Sequence, residues 1–306
     1  MLVPDSGKHQ YILYPPDVSE EPTIYQLRHL FSDIEAIAQI PDAMLDIRVN
    51  FHYCIFLNHT AVACLGGLAR LVESRGGQVI FDWETLPGAI QANLAQNGFL
   101  FEFGCDQFPW DGNSVPYWSG CKHDATLIGE YLQYKWLGKG WMSVSKALRE
   151  AITGQVSEIY LNAYEHSQSE VGVFSCGQHY PTLETLHLTV VDFGIGIPSS
   201  VRSLPKNAPL NSLESLSWAF QSGTTTIQGA VSRGLGLNLL QEFITRNHGS
   251  LTVFSNDSCV TVDDNGVRYE DRSIIFCGTL FNIALRCDER YYCLASEMAL
   301  SEEPLF

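Results

Sequence analysis

The chain has 306 residues, 45% of them hydrophobic, so it is long enough for two domains of ordinary size, each with its own core. Lys and Arg number 18 and Asp and Glu number 34, so the net charge is −16, which argues against non-specific binding to nucleic acids or anionic membranes. The cysteines form no C-x-x-C pair, the N-terminus lacks a signal-peptide pattern, and no apolar run is long enough to span a bilayer. We therefore expect a cytoplasmic protein with free thiols.

The first half of the chain predicts a small domain of alternating strands and helices over residues 23–103. Residues 1–22 are polar and proline-rich and are expected to form an irregular tail. The predicted elements are a helix capped by Thr23, a strand at 44–51, a helix at 61–75, a strand at 78–83, a short helix ending at Gly98 and a strand at 99–104. Residues 104–121, rich in glycine, proline and aromatic residues, are expected to link this domain to the next.

A second domain is predicted over residues 122–290, followed by a tail at 291–306. Its predicted elements are helical segments at 125–137 and 143–167, a loop around 176–181, a strand at 183–192 with a glycine-rich turn after it, a short helix at 212–223, a helix at 234–249, and antiparallel strands from 250 to 285 with a hairpin around 263–266. Both halves therefore predict an α/β protein.

The longest predicted helix carries polar residues at a regular spacing. Glu158, Asn162 and His166 follow one another at intervals of four residues, so they share one stripe of an otherwise apolar segment. A carboxylate can polarise an attacking hydroxyl, and an amide oxygen is a hard ligand that suits Mg²⁺. Taken alone, the stripe is equally consistent with polar residues at the rim of a helix.

Two glycine-containing segments follow this helix. In V-V-D-F-G-I-G-I-P (190–198), an acid after a buried strand can accept a hydrogen bond from an exocyclic amine, and the glycines allow a flat ring to approach the backbone. In S-R-G-L-G-L-N-L-L (232–240), glycines open a helix whose N–H groups suit an anion. Taken alone, the first fits a β-turn with a capping Asp, and the second fits a closely packed helix start.

The order of these segments, with G-T-L-F-N-I at 278–283, resembles the GHKL ATPase superfamily. That superfamily includes the ATP-binding domains of histidine kinases, anti-sigma-factor serine kinases, gyrase, Hsp90 and MutL. The four segments resemble its N box, G1 box, G2 box and closing strand. The resemblance implies a C-terminal Bergerat-type α/β sandwich, in which helices cover a mixed sheet. P-loop and Rossmann sites are excluded because neither glycine motif occurs.

The resemblance also implies ATP and Mg²⁺ as cofactors and assigns roles to individual residues. Glu158 would be the general base or would orient the attacking group, Asn162 would hold Mg²⁺, and Asp192 would bind the adenine amino group. Thr279 would reach adenine through water, and His166 would contact the lid or a phosphate, or simply pack. Further nucleotide contacts are implied for Gly194, Gly196, Ile197, Arg233, Gly234, Leu235, Gly236 and Leu237. Residues 199–232 would form the ATP lid.

Two departures from the family pattern are visible. Ser232 stands where the G2 box often begins with a further glycine. The histidine kinase H box is missing, and His123 is the nearest candidate for a phosphate acceptor.

The first half resembles a STAS domain, the fold of anti-sigma-factor antagonists. In that family an Asp-Ser-Ser/Thr-Gly stretch begins a helix and carries the serine that a GHKL kinase phosphorylates. Here the corresponding stretch is Asn58-His59-Thr60-Ala61, so His59 replaces the serine and Thr60 is the nearby hydroxyl. A generic α/β module is the alternative interpretation.

Together the resemblances imply a Mg-ATP-binding signalling protein, a serine/threonine kinase or ATPase switch of the anti-sigma-factor type. The alternative is a non-catalytic, ATP-gated module whose degenerate STAS-like half only docks partners. A gyrase-like or MutL-like machine is disfavoured, since few residues follow Leu285. The expected partners are proteins, such as a STAS-domain or sigma-factor-like regulator or a second copy of the chain. Neither nucleic acid nor membrane is expected as a partner.

Overall fold

The computed structural model describes residues 1–5, 10–40, 45–221, 237–271 and 275–301, and it is a mixed α/β protein. The first elements are β1 Leu2–Pro4, β2 Tyr11–Leu13, α1 Ile24–Ala38, β3 Asp46–Asn50, α2 His59–Ser74, β4 Gln78–Asp82, α3 Gly88–Gln96 and α4 Phe99–Glu102. The next are β5 Ser114–Gly120, α5 Ala125–Glu130, β6 Ser143–Val144, α6 Lys146–His166, β7 Val173–Tyr180, β8 Thr185–Asp192, α7 Ile197–Arg202 and α8 Ser212–Ala219. The last are α9 Asn238–Asn247, β9 Ser250–Asn256, β10 Ser258–Asp263, β11 Gly266–Glu270, β12 Phe276–Arg286, β13 Tyr291–Tyr292 and α10 Ala295–Ser301.

A four-stranded sheet in the order β1-β2-β3-β4 begins the fold. The strands β2, β3 and β4 run parallel, with α1 and α2 as the crossovers between them. Right-handed crossovers between successive parallel strands place both helices on the same face of the sheet. Thr23 caps α1 as predicted, in a reciprocal capping box with Gln26. We call β1–β4 with α1 and α2 the N-terminal layer.

The predicted tail at 1–22 contributes two strands to this sheet, so that expectation was wrong. Strand β2 pairs with residues 47–49 of β3, and β1 pairs back on β2. Three residues are too few to show a strand period, and prolines surround them, so the pairing depends on contacts that are distant in sequence.

A seven-stranded sheet in the order β11-β10-β9-β12-β8-β7-β5 forms the second layer. Every pairing within it is antiparallel among the described strands, whereas the family resemblance implied a mixed sheet. Several neighbours are joined by short turns, which can only connect antiparallel strands. Strand β5 lies within the predicted linker at 104–121, and β7 occupies the predicted loop around 176–181.

The segment at 99–104, predicted as a strand, is instead the short helix α4. Gly98 adopts a left-handed conformation with φ of 84°, which ends α3 and lets the chain begin a new helical turn. Phe99 and Leu100 are buried by that turn. A short apolar run fits either a strand or a buried helix, so its periodicity alone could not distinguish them.

Helices cover both faces of the seven-stranded sheet. Along β8, Leu188 and Val190 face the core that α6 shares, while Thr189 and Val191 face α2 and α1. Helix α2 lies between the two sheets, and its buried residues extend without a break over 59–69. The N-terminal layer and the seven-stranded sheet therefore share one hydrophobic core. From one side of the protein to the other lie the four-stranded sheet, the helices α1 and α2, the seven-stranded sheet and the helices on its far face, α6 among them.

A pair of buried histidines lies where α2 meets the seven-stranded sheet. The neutral His59 ring makes hydrogen bonds with two side chains: its Nε2 donates to Asn282 Oδ1 (3.2 Å), and its Nδ1 accepts from the Tyr180 hydroxyl (3.3 Å). The His187 ring centroid lies 4.9 Å from that of His59. Burial lowers the pKa of His59 from 6.5 to about 4, and it lowers the pKa of His187 well below its ordinary value.

We expect this pair to make the fold sensitive to acid. The folded-state pKa of His59 lies below the unfolded value, so its contribution to stability is present above pH 6.5 and is lost as the pH falls toward 4. At about 1.4 kcal/mol per pKa unit, the loss from His59 alone approaches about 3 kcal/mol. Urea unfolding of the wild type and of His59→Gln between pH 7 and pH 4 tests this. The free energy of unfolding should fall less steeply with decreasing pH in the variant than in the wild type. Equal slopes would assign the acid sensitivity to other groups.

Candidate functional site

Helix α6 is the longest described helix and carries the polar stripe. Ser145 caps it by accepting a hydrogen bond from the Leu148 amide (3.1 Å), and Glu297 of the C-terminal segment accepts from the Ser145 hydroxyl (2.6 Å). One face packs on the sheet through Leu148, Ile152, Val156, Ile159 and Tyr160. The predicted helix is confirmed over 146–166, whereas residues 143 and 144 of the predicted segment form β6, and the buried face of α6 leaves the stripe on the side of the helix.

Helix α6 contacts the first turn of α9 at the N-terminal end of the stripe. Gln155, one turn before Glu158 on the same side of α6, accepts a hydrogen bond from the Leu240 amide (2.6 Å). Glu158, Asn162 and His166 continue the stripe at half-buried positions. Partial burial lowers the pKa of His166 below its ordinary value, and Glu165 partly offsets this effect.

Asn162 holds an unpaired polar atom. Its Nδ2 is buried and has no hydrogen-bond partner among the described residues. An unpaired buried amide lowers stability, so a ligand that supplied a partner here would offset that cost. Because the oxygen and nitrogen of an amide are assigned rather than observed, either one can point toward that ligand.

Asp192 ends β8 on the face of the sheet that α6 covers. Its backbone is in register with Thr279 of β12, and its Oδ1 accepts a hydrogen bond from the Gly194 amide (2.9 Å). The side chain is only 3% exposed. Burial raises its pKa from 3.8 to about 7, and the hydrogen bonds from the Gly194 and Thr279 backbones only partly offset this rise. A carboxyl group kept in such surroundings is typical of a functional site.

The glycines after Asp192 allow close backbone packing. A side chain at Gly194 would collide with the Ser167 carbonyl, and the Ile195 amide donates to that carbonyl (2.7 Å). Gly196 has φ of 79°, and a Cβ atom there would lie under 3.0 Å from the Asn256 side chain. Both glycines therefore join the turn to neighbouring parts of the chain, so their glycine identity is required by packing alone.

Two residues that the sequence did not reveal hold this turn in place. Ser255 accepts a hydrogen bond from the Ile197 amide (2.8 Å) and lies 3.0 Å from the Thr279 hydroxyl. Asn256 Nδ2 donates to the Ile195 carbonyl (3.1 Å). Their position depends on the pairing of β9 with β12, which no local pattern shows.

The remaining predicted site residues are spread around this centre. Leu237 precedes α9 and is buried, whereas Arg233, Gly234, Leu235 and Gly236 lie outside the described residues. The first part of the predicted lid forms α7 and α8, which pack on each other, and residues 222–232 also lie outside the described part. His123 is exposed, and its ring contacts Tyr164 of α6 with centroids 5.6 Å apart.

Residues 58–61, which the STAS resemblance predicts as the acceptor stretch, are buried where α2 meets the seven-stranded sheet. Asn58, the N-cap of α2, accepts a hydrogen bond from the Ala61 amide (3.0 Å). His59 is 3% exposed and Thr60 is 1% exposed. The Thr60 hydroxyl lies 2.9 Å from the Thr189 hydroxyl on β8. A phosphate donor therefore reaches neither side chain while α2 stays on the sheet.

Comparisons with known proteins leave the site to be interpreted from its own geometry. No protein-family model matches the chain, and no curated protein matches it. Within the described ranges, no group of three or more His, Cys, Asp or Glu side chains could hold a metal ion. No helix in the described part of the chain is both long and apolar enough to cross a membrane.

Proposed function

We propose that the chain is a Mg-ATP-binding regulatory protein of the GHKL type, with a STAS-like N-terminal layer on a Bergerat-type nucleotide domain. The observation that carries the proposal is the buried Asp192 carboxyl at the end of β8, in register with Thr279 on the face of the sheet that α6 covers. A carboxylate in such surroundings is suited to accept a hydrogen bond from the amino group of adenine. The phosphates would lie toward the start of α9, which contacts α6 through Gln155.

The residues present fit ATP and Mg²⁺. Asn162 would hold Mg²⁺ through its amide oxygen, its unpaired amide nitrogen would donate to a phosphate oxygen, and Mg²⁺ when bound supplies positive charge against the phosphates. Asp192 would bind the adenine amine, and this hydrogen bond favours the ionised carboxylate. Glu158, half-buried and one turn from Asn162, would take the proton of an attacking hydroxyl or water. The chemistry would then be phosphate transfer to a protein or hydrolysis.

A second candidate function is a non-catalytic, ATP-gated docking module. The burial of Asn58, His59 and Thr60 favours it, because a layer whose acceptor position is covered cannot serve as a phosphate acceptor in this arrangement. In this version ATP changes the surface that the chain offers to a protein partner, such as a STAS-domain or sigma-factor-like regulator. Phosphate transfer by the wild type separates the two candidates.

We expect Asn162→Ala to weaken the binding of Mg-ATP by about tenfold or more, while binding of ATP in excess EDTA changes little. The reason is that the variant loses an oxygen ligand to the metal. Its free energy of unfolding should not fall, since the amide Nδ2 has no partner among the described residues. Isothermal titration calorimetry with and without Mg²⁺ measures both affinities.

The matched control is Ser157→Ala on the same helix, whose hydroxyl donates only to the Thr153 carbonyl of the preceding turn (2.8 Å). This variant should bind Mg-ATP like the wild type. An Asn162→Ala protein that bound Mg-ATP at full strength would contradict the assignment of the metal ligand.

A further inference from the structure

Phe193 connects the proposed nucleotide turn to the N-terminal layer. Strand alternation places Asp192 on the α6 face of the sheet, so Phe193 next to it points to the opposite face, where α2 lies. Its ring centroid lies 6.2 Å from that of Phe174 and 5.9 Å from that of Phe276. The Phe276 ring in turn lies 4.8 Å from Phe31 of α1. An aromatic cluster therefore extends from α1 to the residue that follows Asp192.

Helix α2 makes room for this ring with a glycine. A Cβ atom at Gly67 would lie under 3.0 Å from ring atoms of Phe193 and of Phe174. Glycine in the interior of a helix is less favourable than alanine, so its presence here is explained by the close approach of the ring. The contact is direct, because no other side chain lies between the helix backbone and Phe193.

The backbone on both sides of Phe193 belongs to the site. The Gly194 amide donates to the Asp192 carboxyl (2.9 Å), and the Ile195 amide donates to the end of α6 at Ser167 (2.7 Å). A Cβ atom at Gly278 would collide with the Asp192 carbonyl, so β12 leaves this backbone little space. A displacement of the Phe193 ring that rotation of its side chain does not absorb would therefore act on the backbone that carries Asp192 and Gly194.

We propose that Phe193 is a positioning residue, which couples the docking of α2 on the sheet to nucleotide binding through its contact with Gly67. The inference rests on the proposed nucleotide site and adds a regulator to it, namely the N-terminal layer. Coupling between two binding events is reciprocal, so bound nucleotide also holds α2 more firmly on the sheet. A protein partner that loosens α2 would then release nucleotide.

Gly67→Ala tests the coupling, because its methyl group displaces the Phe193 ring without touching the nucleotide. We expect the affinity for Mg-ATP to fall by about tenfold, within the usual range of coupling between sites. The matched control is Gly66→Ala, the same change at the next position, where a Cβ atom would lie under 3.0 Å from the Tyr117 side chain on β5. Strand β7 separates β5 from β8, so this variant should lose stability but keep its affinity within about twofold.

A rescue variant distinguishes positioning from general damage. Gly67→Ala combined with Phe193→Leu removes ring atoms that the new methyl group meets, and it should recover part of the lost affinity. Equal losses in both glycine variants, or a loss in neither, would overturn the coupling. Failure of the wild type to bind Mg-ATP would instead refute the proposed function, so the two failures are distinct.

A measurement on the wild type covers the case in which Gly67→Ala does not fold. Cys64 on α2 is fully buried, and so a thiol reagent reaches it only when α2 opens. Labelling of each thiol is measured by mass spectrometry of the peptide that carries it. The factor by which Mg-ATP slows the labelling of Cys64 should be about fivefold larger than the factor for Cys54. The Cys54 thiol is held within the N-terminal layer by Pro16 and Phe56 and reports general unfolding. Equal slowing at both thiols, or none at Cys64, would overturn the proposal.

Discussion

Replacing Asp192 by asparagine is expected to lower the affinity for Mg-ATP about a hundredfold and, at the same time, to stabilise the nucleotide-free protein at pH 8. The carboxylate would be replaced by an amide of the same shape, which accepts the hydrogen bond of an adenine amine less strongly. A loss of about a hundredfold in affinity corresponds to about 3 kcal/mol, the upper end for a hydrogen bond to a charged group. The gain in stability follows because the amide carries no charge to bury.

The pH dependence gives this prediction a defined sign. The pKa of Asp192 is about 7 in the folded protein, against an ordinary value of 3.8, so the folded state retains a proton that the unfolded chain releases. Its contribution to stability is therefore present below pH 4 and is lost as the pH rises through 7. Denaturant unfolding of the wild type between pH 5 and pH 8 should show this decline, and Asp192→Asn should show a flatter profile.

The control for Asp192 is the same change at Asp263, which lies in the β10–β11 hairpin. Its carboxylate pairs with Arg268, which lowers its pKa to about 2, so Asp263→Asn should lose stability at neutral pH and keep its affinity for ATP. Normal ATP binding by Asp192→Asn would refute the assignment of the adenine site. A lower stability of that variant at pH 8 would show that the ionised carboxylate is well solvated in the nucleotide-free protein.

Replacing Glu158 by glutamine is expected to lower phosphate transfer or ATP hydrolysis by about 100-fold or more and to leave ATP affinity within about twofold. Glutamine keeps the shape of the side chain but cannot take a proton, and a general base contributes about 10²- to 10⁴-fold to a rate. Incubation with labelled ATP and Mg²⁺, alone and with cell extract, measures label on Ser or Thr and labelled phosphate released.

Glu165→Gln is the matched control for Glu158, since Glu165 lies on the same helix but is exposed to solvent. It should react like the wild type. A rate for Glu158→Gln equal to that of the wild type would remove Glu158 from the mechanism. ATP binding by the wild type without any transfer or hydrolysis would support the docking module instead of the kinase.

Elements with a long local pattern could be predicted from the sequence. The helices α1, α2 and α6 were predicted from apolar residues at helical spacing, and Thr23 marked the start of α1. Strand β8 was predicted from its buried run and ends at Asp192, as expected. The stripe of Glu158, Asn162 and His166 was also visible, because residues four apart on a helix share a side whatever surrounds it.

Only the tertiary structure determined how these parts meet. A short strand such as β2 exists through pairing with a distant segment, and the position of Ser255 beside Thr279 depends on the register of β9 against β12. An apolar helix such as α2 shows that it is buried but does not show against which surfaces. The polar residues of the candidate site could therefore be identified from short stretches of the sequence. The contact of Gly67 with Phe193 and the burial of Thr60 result from packing between segments distant in sequence, which the spacing of apolar residues within one segment does not show.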